Sequence, residues 1–287
     1  MAYDLRGMNR VNPQMPAKGK GRIRISLPSL VIILLFILII AYISLPVISL
    51  FIKSSPGTFI GSLGDPMVID ALKISVITSV VTTLIVVVVG TPVSYINARH
   101  NYPGKEFVDT LIDLPVVVPP AVAGIALLMA FGRRGVLGQY LDVFGISIAF
   151  TTIAVIMAQI FVASPFYIRQ ARISFEDVDR TYENAARTLG ASRVYTFFYI
   201  TVPIAMNGLI SGAILTWARA LGEFGATIMF AGNFQGRTQT MPLAIYTAMQ
   251  GDIDASIFLA IVLVIVSFLV IVIVKVLTRR GLIFVQD

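Results

Sequence analysis

No cysteine occurs among the 287 residues, and His100 is the only histidine. Disulfides, thiolate metal sites and a cysteine nucleophile are thereby excluded, and little is left for imidazole catalysis or metal ligation. Charge is also scarce. Only 13% of the residues are Asp, Glu, Lys or Arg, about half the share of a soluble domain, too little polar surface to cover a water-soluble globule. A nucleotide-binding loop is missing as well. Lys18-Gly-Lys-Gly-Arg22 lacks the G-x-x-x-x-G-K-[ST] spacing and follows no strand, so it reads as a basic tail near anionic headgroups.

What the chain does have is 57% apolar residues and a mean hydropathy of +0.87, gathered into long blocks that point to lipid as the solvent. Six stretches are long enough to cross a bilayer, near 27–52, 68–97, 111–131, 148–170, 200–230 and 253–278. The third holds Pro115, Pro119 and Pro120, which kink or delay a helix. The first is too long an apolar run for a signal peptide and has no cleavage pattern after it. The expected fold is all-α, a six-span bundle flanked by a basic tail over 1–26 and a short tail over 279–287.

The basic residues set an orientation. Arg6, Arg10, Lys18, Lys20, Arg22, Arg24, Arg99, Lys105, Arg169, Arg172, Arg180, Arg187, Arg193, Lys275, Arg279 and Arg280 fall on one side of the predicted spans. The other side holds Lys53, Arg133, Arg134 and Arg237. Sixteen against four predicts both termini in the cytoplasm. It also accounts for the net charge of +7 without a nucleic-acid partner. His100, beside Arg99 at a span end, reads as a membrane-surface residue.

About thirty residues, 171–199, separate the fourth and fifth spans. Ser174 with Asp177 three residues on predicts a capped helix start. Phe175, Val178, Tyr182, Ala185, Ala186 and Leu189 recur at helical spacing, and Gly190 offers a left-handed stop. Ser192 can cap a second short helix. Periodicity alone fits either a hairpin that docks in a partner's groove or an amphipathic helix on the membrane surface. Glu183-Asn-Ala-Ala-Arg-Thr-Leu-Gly190 followed by Ile200-Thr-Val-Pro203 resembles the EAA signature of ABC-importer permeases, which favours docking. The resemblance implies that Glu183, Asn184, Ala185, Ala186, Arg187, Leu189 and Gly190 form the loop that couples to an ATPase subunit. Asn184 stands where the signature has its glutamate, with Glu183 one residue earlier, and Val202 replaces a leucine. These departures keep the docking shape but give no ground for a specific salt bridge from that glutamate.

Asp113-Leu-Pro-Val-Val-Val-Pro-Pro120 and Arg219-Ala-Leu-Gly-Glu-Phe-Gly-Ala-Thr227, continuing to Thr238-Gln-Thr-Met-Pro-Leu-Ala-Ile-Tyr246, resemble molybdate and tungstate permeases, with sulfate and thiosulfate permeases as close relatives. The resemblance implies a homodimer of type I importer permeases carrying a tetrahedral oxyanion, with two ATP-binding cassette subunits holding ATP and magnesium. An extracytoplasmic oxyanion-binding protein would deliver cargo to loops near 53–67, 132–147 and 231–252. No cofactor is expected on this chain, and no catalysis.

Arg219 and Glu223 lie well inside an apolar stretch, four residues apart on one helical face. Intramembrane charges usually face a bundle interior or a water-filled pathway. A buried pair that holds neighbouring spans is the simpler reading, and contact with the passing anion is the alternative. Gly222 and Gly225 flank Glu223 as a candidate gate. An ion-coupled transporter would need several midplane carboxylates or histidines, and only Glu223 is available. An intramembrane enzyme finds no H-E-x-x-H, paired aspartates or Ser/His arrangement.

Overall fold

The structure is a computed structural model that describes residues 27–54 and 64–281. The basic tail read over 1–26, most of the loop near 53–67 and the end of the 279–287 tail lie outside the described residues. Met1–Ser49 and Leu50–Asp287 form separate units. Helix α1 (Leu27–Lys53) is an almost unbroken Ile/Leu/Val/Phe run, apolar on every side.

In the second unit, α2 (Pro66–Arg99) starts where Asp65 accepts a hydrogen bond from the Met67 amide at 2.8 Å and Pro66 fixes the first turn. α3 (Lys105–Val117), α4 (Pro120–Phe131) and the short α5 (Gly138–Val143) follow. Next come α6 (Thr152–Glu176), α7 (Arg180–Thr188) and α8 (Arg193–Thr196). A π-helical turn (Phe197–Thr201) feeds α9 (Val202–Leu221). The chain ends with α10 (Gly225–Ala231), α11 (Met241–Met249) and α12 (Ile253–Gly281). Among the described residues five helical stretches are long and apolar enough to cross a membrane, or six if α3 and α4 count as one.

Two predicted spans are differently built. The stretch 111–131 is not one helix, because α3 begins earlier and meets α4 at 115°. The prolines explain the break. Val118 and Pro119 are extended, with ψ of 128° and 136°, and Pro120 opens the next helix. The stretch 200–230 likewise ends its helix at Leu221, and Gly222-Glu-Phe224 turns the chain into α10.

α6 is the hub, packing against α2, α3, α4, α9 and α10. Polarity runs opposite to that of a soluble protein. Thr78 and Thr82 of α2 are fully buried, whereas Leu84 and Val88 on the same helix are 60% and 72% exposed. In lipid, helices gain nothing by hiding leucine from one another. They associate through small residues and interhelical hydrogen bonds. Thr82 donates to Gln159 Oε1 at 3.0 Å, Gln159 Nε2 donates to Thr78 Oγ1 at 3.2 Å, and Thr78 donates to the Ile74 carbonyl at 2.8 Å. Farther along the same interface, Ser94 donates to the Ile168 carbonyl and the Thr91 and Tyr167 hydroxyls meet at 2.6 Å. Gln159→Leu keeps the volume and removes the relay's central link. It should lower stability by about 1 kcal/mol, measured as the unfolding midpoint in mild detergent, and an unchanged midpoint would show that α2 and α6 hold by packing alone.

Candidate functional site

The loop between α6 and α9 starts later than its sequence pattern predicts. Ser174 is not a helix cap. It sits inside α6, where its hydroxyl bonds back to the Gln170 carbonyl at 2.8 Å. Phe175 is fully buried in the core, and that burial carries α6 on to Glu176. The cap of α7 is Asp179, whose carboxylate accepts from the Thr181 amide at 2.8 Å. That hydrogen bond holds the Asp179 carboxyl below its ordinary value. Its contribution is therefore complete above the unfolded value, about pH 4, and is lost as pH falls through the lower folded value. Ser192 caps α8 by accepting from the Tyr195 amide. Between the two helices Gly190 takes φ +92°, a conformation that side-chain-bearing residues rarely adopt.

α7 has two faces. Tyr182, Ala185, Ala186 and Leu189 line an open groove of about 720 Å³ that continues over Gly190 and Tyr195. Leu189 is 89% exposed there. On the other face lie Arg180, Glu183, Asn184 and Arg187.

Glu183 is the residue that fixes the loop. Arg99, from the last turn of α2, reaches its Oε1 with Nε at 3.0 Å and Nη2 at 2.9 Å, while Nη2 also donates to the Val178 carbonyl at 2.8 Å. Thr201, in the π turn, donates to the same carboxylate oxygen at 2.9 Å. The Arg99 and Glu183 side chains are 6% and 14% exposed. A salt bridge that the departures from the signature gave no reason to expect thus forms within the chain, from the shifted glutamate. Arg99, counted in the sequence only as a topology charge, is the missed site residue. It lies 84 positions from Glu183, so no local pattern signals it. A second set of ion pairs holds α3 to α6, with Arg172 on Asp109 at 2.8 Å and Arg169 on Asp113.

The predicted intramembrane pair also forms. Arg219 Nη2 lies 2.8 Å from Glu223 Oε2, at the end of α9. Glu223 is 1% exposed and Arg219 30%. The other carboxylate oxygen accepts from the Ala226 amide at 2.8 Å, so Glu223 joins α9 to α10. Gly225 seats α10 on α4, since a Cβ there would come 2.6 Å from Pro120 Cβ. Gly222 has an ordinary φ of −87° and no such constraint. Several buried oxygens near this corner in sequence, Thr216 Oγ1, Thr227 Oγ1, Gln239 Oε1 and Thr240 Oγ1, have no hydrogen-bond partner among the described residues.

Comparison with known proteins bears on both regions. Residues 87–281 match the family model described as binding-protein-dependent transport system inner membrane component. The molybdenum transport system permease protein ModB of Mycobacterium tuberculosis is 42% identical over 236 residues, covering 81% of this chain and 88% of the relative. The molybdate/tungstate transport system permease protein WtpB of Pyrococcus furiosus is 36% identical over 245 residues, covering 85% and 92%. A crystal structure of a bacterial alginate ABC transporter in complex with an alginate pentasaccharide-bound periplasmic protein has a chain with TM-score 0.71 and 16% identity. The match covers 88% of this chain and 94% of that one.

Removing one member of a buried ion pair strands the other charge. Arg99→Ala should cost about 3 kcal/mol of local stability and abolish hydrogen-exchange protection across residues 178–190. Glu183→Gln, which keeps an acceptor for Thr201, should lose less. Equal and small losses in both variants would show that the bridge does not hold the loop.

Proposed function

The chain belongs to the family of binding-protein-dependent transport system inner membrane components, and on that premise we propose that two copies line the pathway of an ATP-driven importer for a tetrahedral oxyanion, molybdate or tungstate. The cargo is inferred from the resemblance to ModB and WtpB, and sulfate or thiosulfate is the alternative. The observation that carries the ATP-driven reading is the apolar groove on α7, placed on a loop that Glu183 fastens to α2 and to the π turn ahead of α9. A rigid, apolar, small-residue helix face suits insertion into a cleft on another protein.

In this reading Ala185, Ala186, Leu189 and Gly190 meet an ATPase subunit, one per copy, which binds ATP and magnesium. Both termini and this loop lie in the cytoplasm in this reading, which the distribution of basic residues supports. A binding protein delivers the oxyanion on the opposite side. Closure of the two ATPases draws the loops together and switches the pathway from inward-open to outward-open. Arg219 and Glu223 hold the corner between α9 and α10, and Gly225 lets α10 sit on α4. Direct contact of Arg219 with the anion is the alternative role. Tight anion binding within the pathway is not required, because passage favours weak contacts.

Ala186→Glu puts a charge in the groove. Wild type should co-purify with its ATPase, and the variant should lose it while still inserting normally. Wild type that purifies alone and drives uptake in liposomes without ATP would refute the importer reading. With the ATPase and binding protein reconstituted, ATP-dependent uptake of molybdate or tungstate should be inhibited by sulfate at least about tenfold more weakly than by either oxyanion. Equal competition by sulfate would move the cargo to the alternative.

A further inference from the structure

The face of α7 turned away from the apolar groove is strongly basic. Arg180, Glu183, Asn184 and Arg187 recur at three- and four-residue spacing, and with Arg99 and Arg193 they line a cavity of about 270 Å³. Four guanidinium groups and one carboxylate give it a net of three positive charges. The single carboxylate is already engaged, since Glu183 takes Arg99 and the Thr201 hydroxyl. Arg180 spends one donor on the Arg99 carbonyl at 3.3 Å. Arg187 and Arg193 are exposed, and their guanidinium groups have no ion pair or hydrogen bond among the described residues. A cleft with an excess of one sign of charge focuses its field on an incoming counter-charge. The guanidinium fork matches a carboxylate with two parallel hydrogen bonds.

We propose that this cavity receives a carboxylate side chain from the ATPase subunit, so that docking joins an apolar groove on one face of α7 to a charged latch on the other. The proposal rests on the docking reading above. The occupant follows from continuity and charge. The cavity and the groove share one helix of nine residues, so a body seated on one lies beside the other. Among the described residues that line the cavity no second carboxylate is present, so the acid comes from the partner. Asn184, which also lines the cavity, can donate to the same group. The sequence thus places an amide, and not an acid, at the position facing the latch.

The full-length protein in lipid nanodiscs would be titrated with its co-purifying ATPase at about 50 and 300 mM salt. Arg187→Gln with Arg193→Gln should weaken binding about tenfold at low salt and flatten the salt dependence. Arg187→Lys with Arg193→Lys, which keeps the charge, should recover most of both. Wild-type affinity and salt response in the glutamine variant would overturn the latch while leaving the groove intact. Undiminished binding by Ala186→Glu would instead bring down the docking reading itself. The same titration in nanodiscs with and without phosphatidylglycerol separates a lipid occupant. If the arginines alter only the protein's thermal midpoint with phosphatidylglycerol and not ATPase binding, the cavity holds a headgroup and the proposal fails.

Discussion

One carboxylate, that of Glu183, determines where the loop between α6 and α9 can be. It is bound at once by the end of α2 through Arg99 and by the π turn through Thr201, while Arg99 also holds the carbonyl of Val178, just ahead of α7. Three segments, one of them 84 positions away in the chain, converge on a few polar atoms. Such a pair contributes little net stability when intact, because desolvation offsets the Coulomb attraction, yet its loss is costly. Its value is in position. A nine-residue helix with little apolar contact of its own is too short to persist alone, and it needs this anchor to present a fixed face.

Lipid as solvent accounts for the rest of the architecture. With apolar groups at no disadvantage outside, α6 gathers its neighbours through buried threonines, glutamine and alanines. Residues such as Val88 are left to the hydrocarbon. The prolines between α3 and α4 are tolerable on the same terms, since α4 packs on α6 and α10 instead of standing alone against lipid.

The apolar blocks were legible in the sequence because a bilayer demands long runs, and Arg219 with Glu223 was legible because a helix brings i and i+4 together. The third span was harder. Its prolines announced a disturbance, but an angle of 115° depends on what α4 packs against. The cap read at Ser174 lies instead at Asp179, five positions on. The serine fitted the local pattern, and the burial of Phe175, a tertiary effect, decided for the aspartate. Arg99 could not be found by any local rule, since its role exists only once α2 and α7 have met. Local chemistry was readable and long-range pairing was not.

α9 connects the two regions physically. Thr201, at its start, is tied to Glu183, and Glu223 is the second residue after its end. Its 20 residues span about 30 Å at 1.5 Å per residue, the thickness of the hydrocarbon core. A helix compresses little along its axis, so a displacement of the loop must be carried to the Glu223 corner or absorbed at a weaker point. The available weak point is the π turn over Phe197–Thr201, a geometry often found at functional sites. Thr201 lies within it and holds the loop's anchor, so the place where the helix can yield is also the place where the loop grips it. A displacement of the loop would therefore act on α9 through that turn. What reaches Glu223 depends on whether the Thr201 hydrogen bond keeps that turn in register.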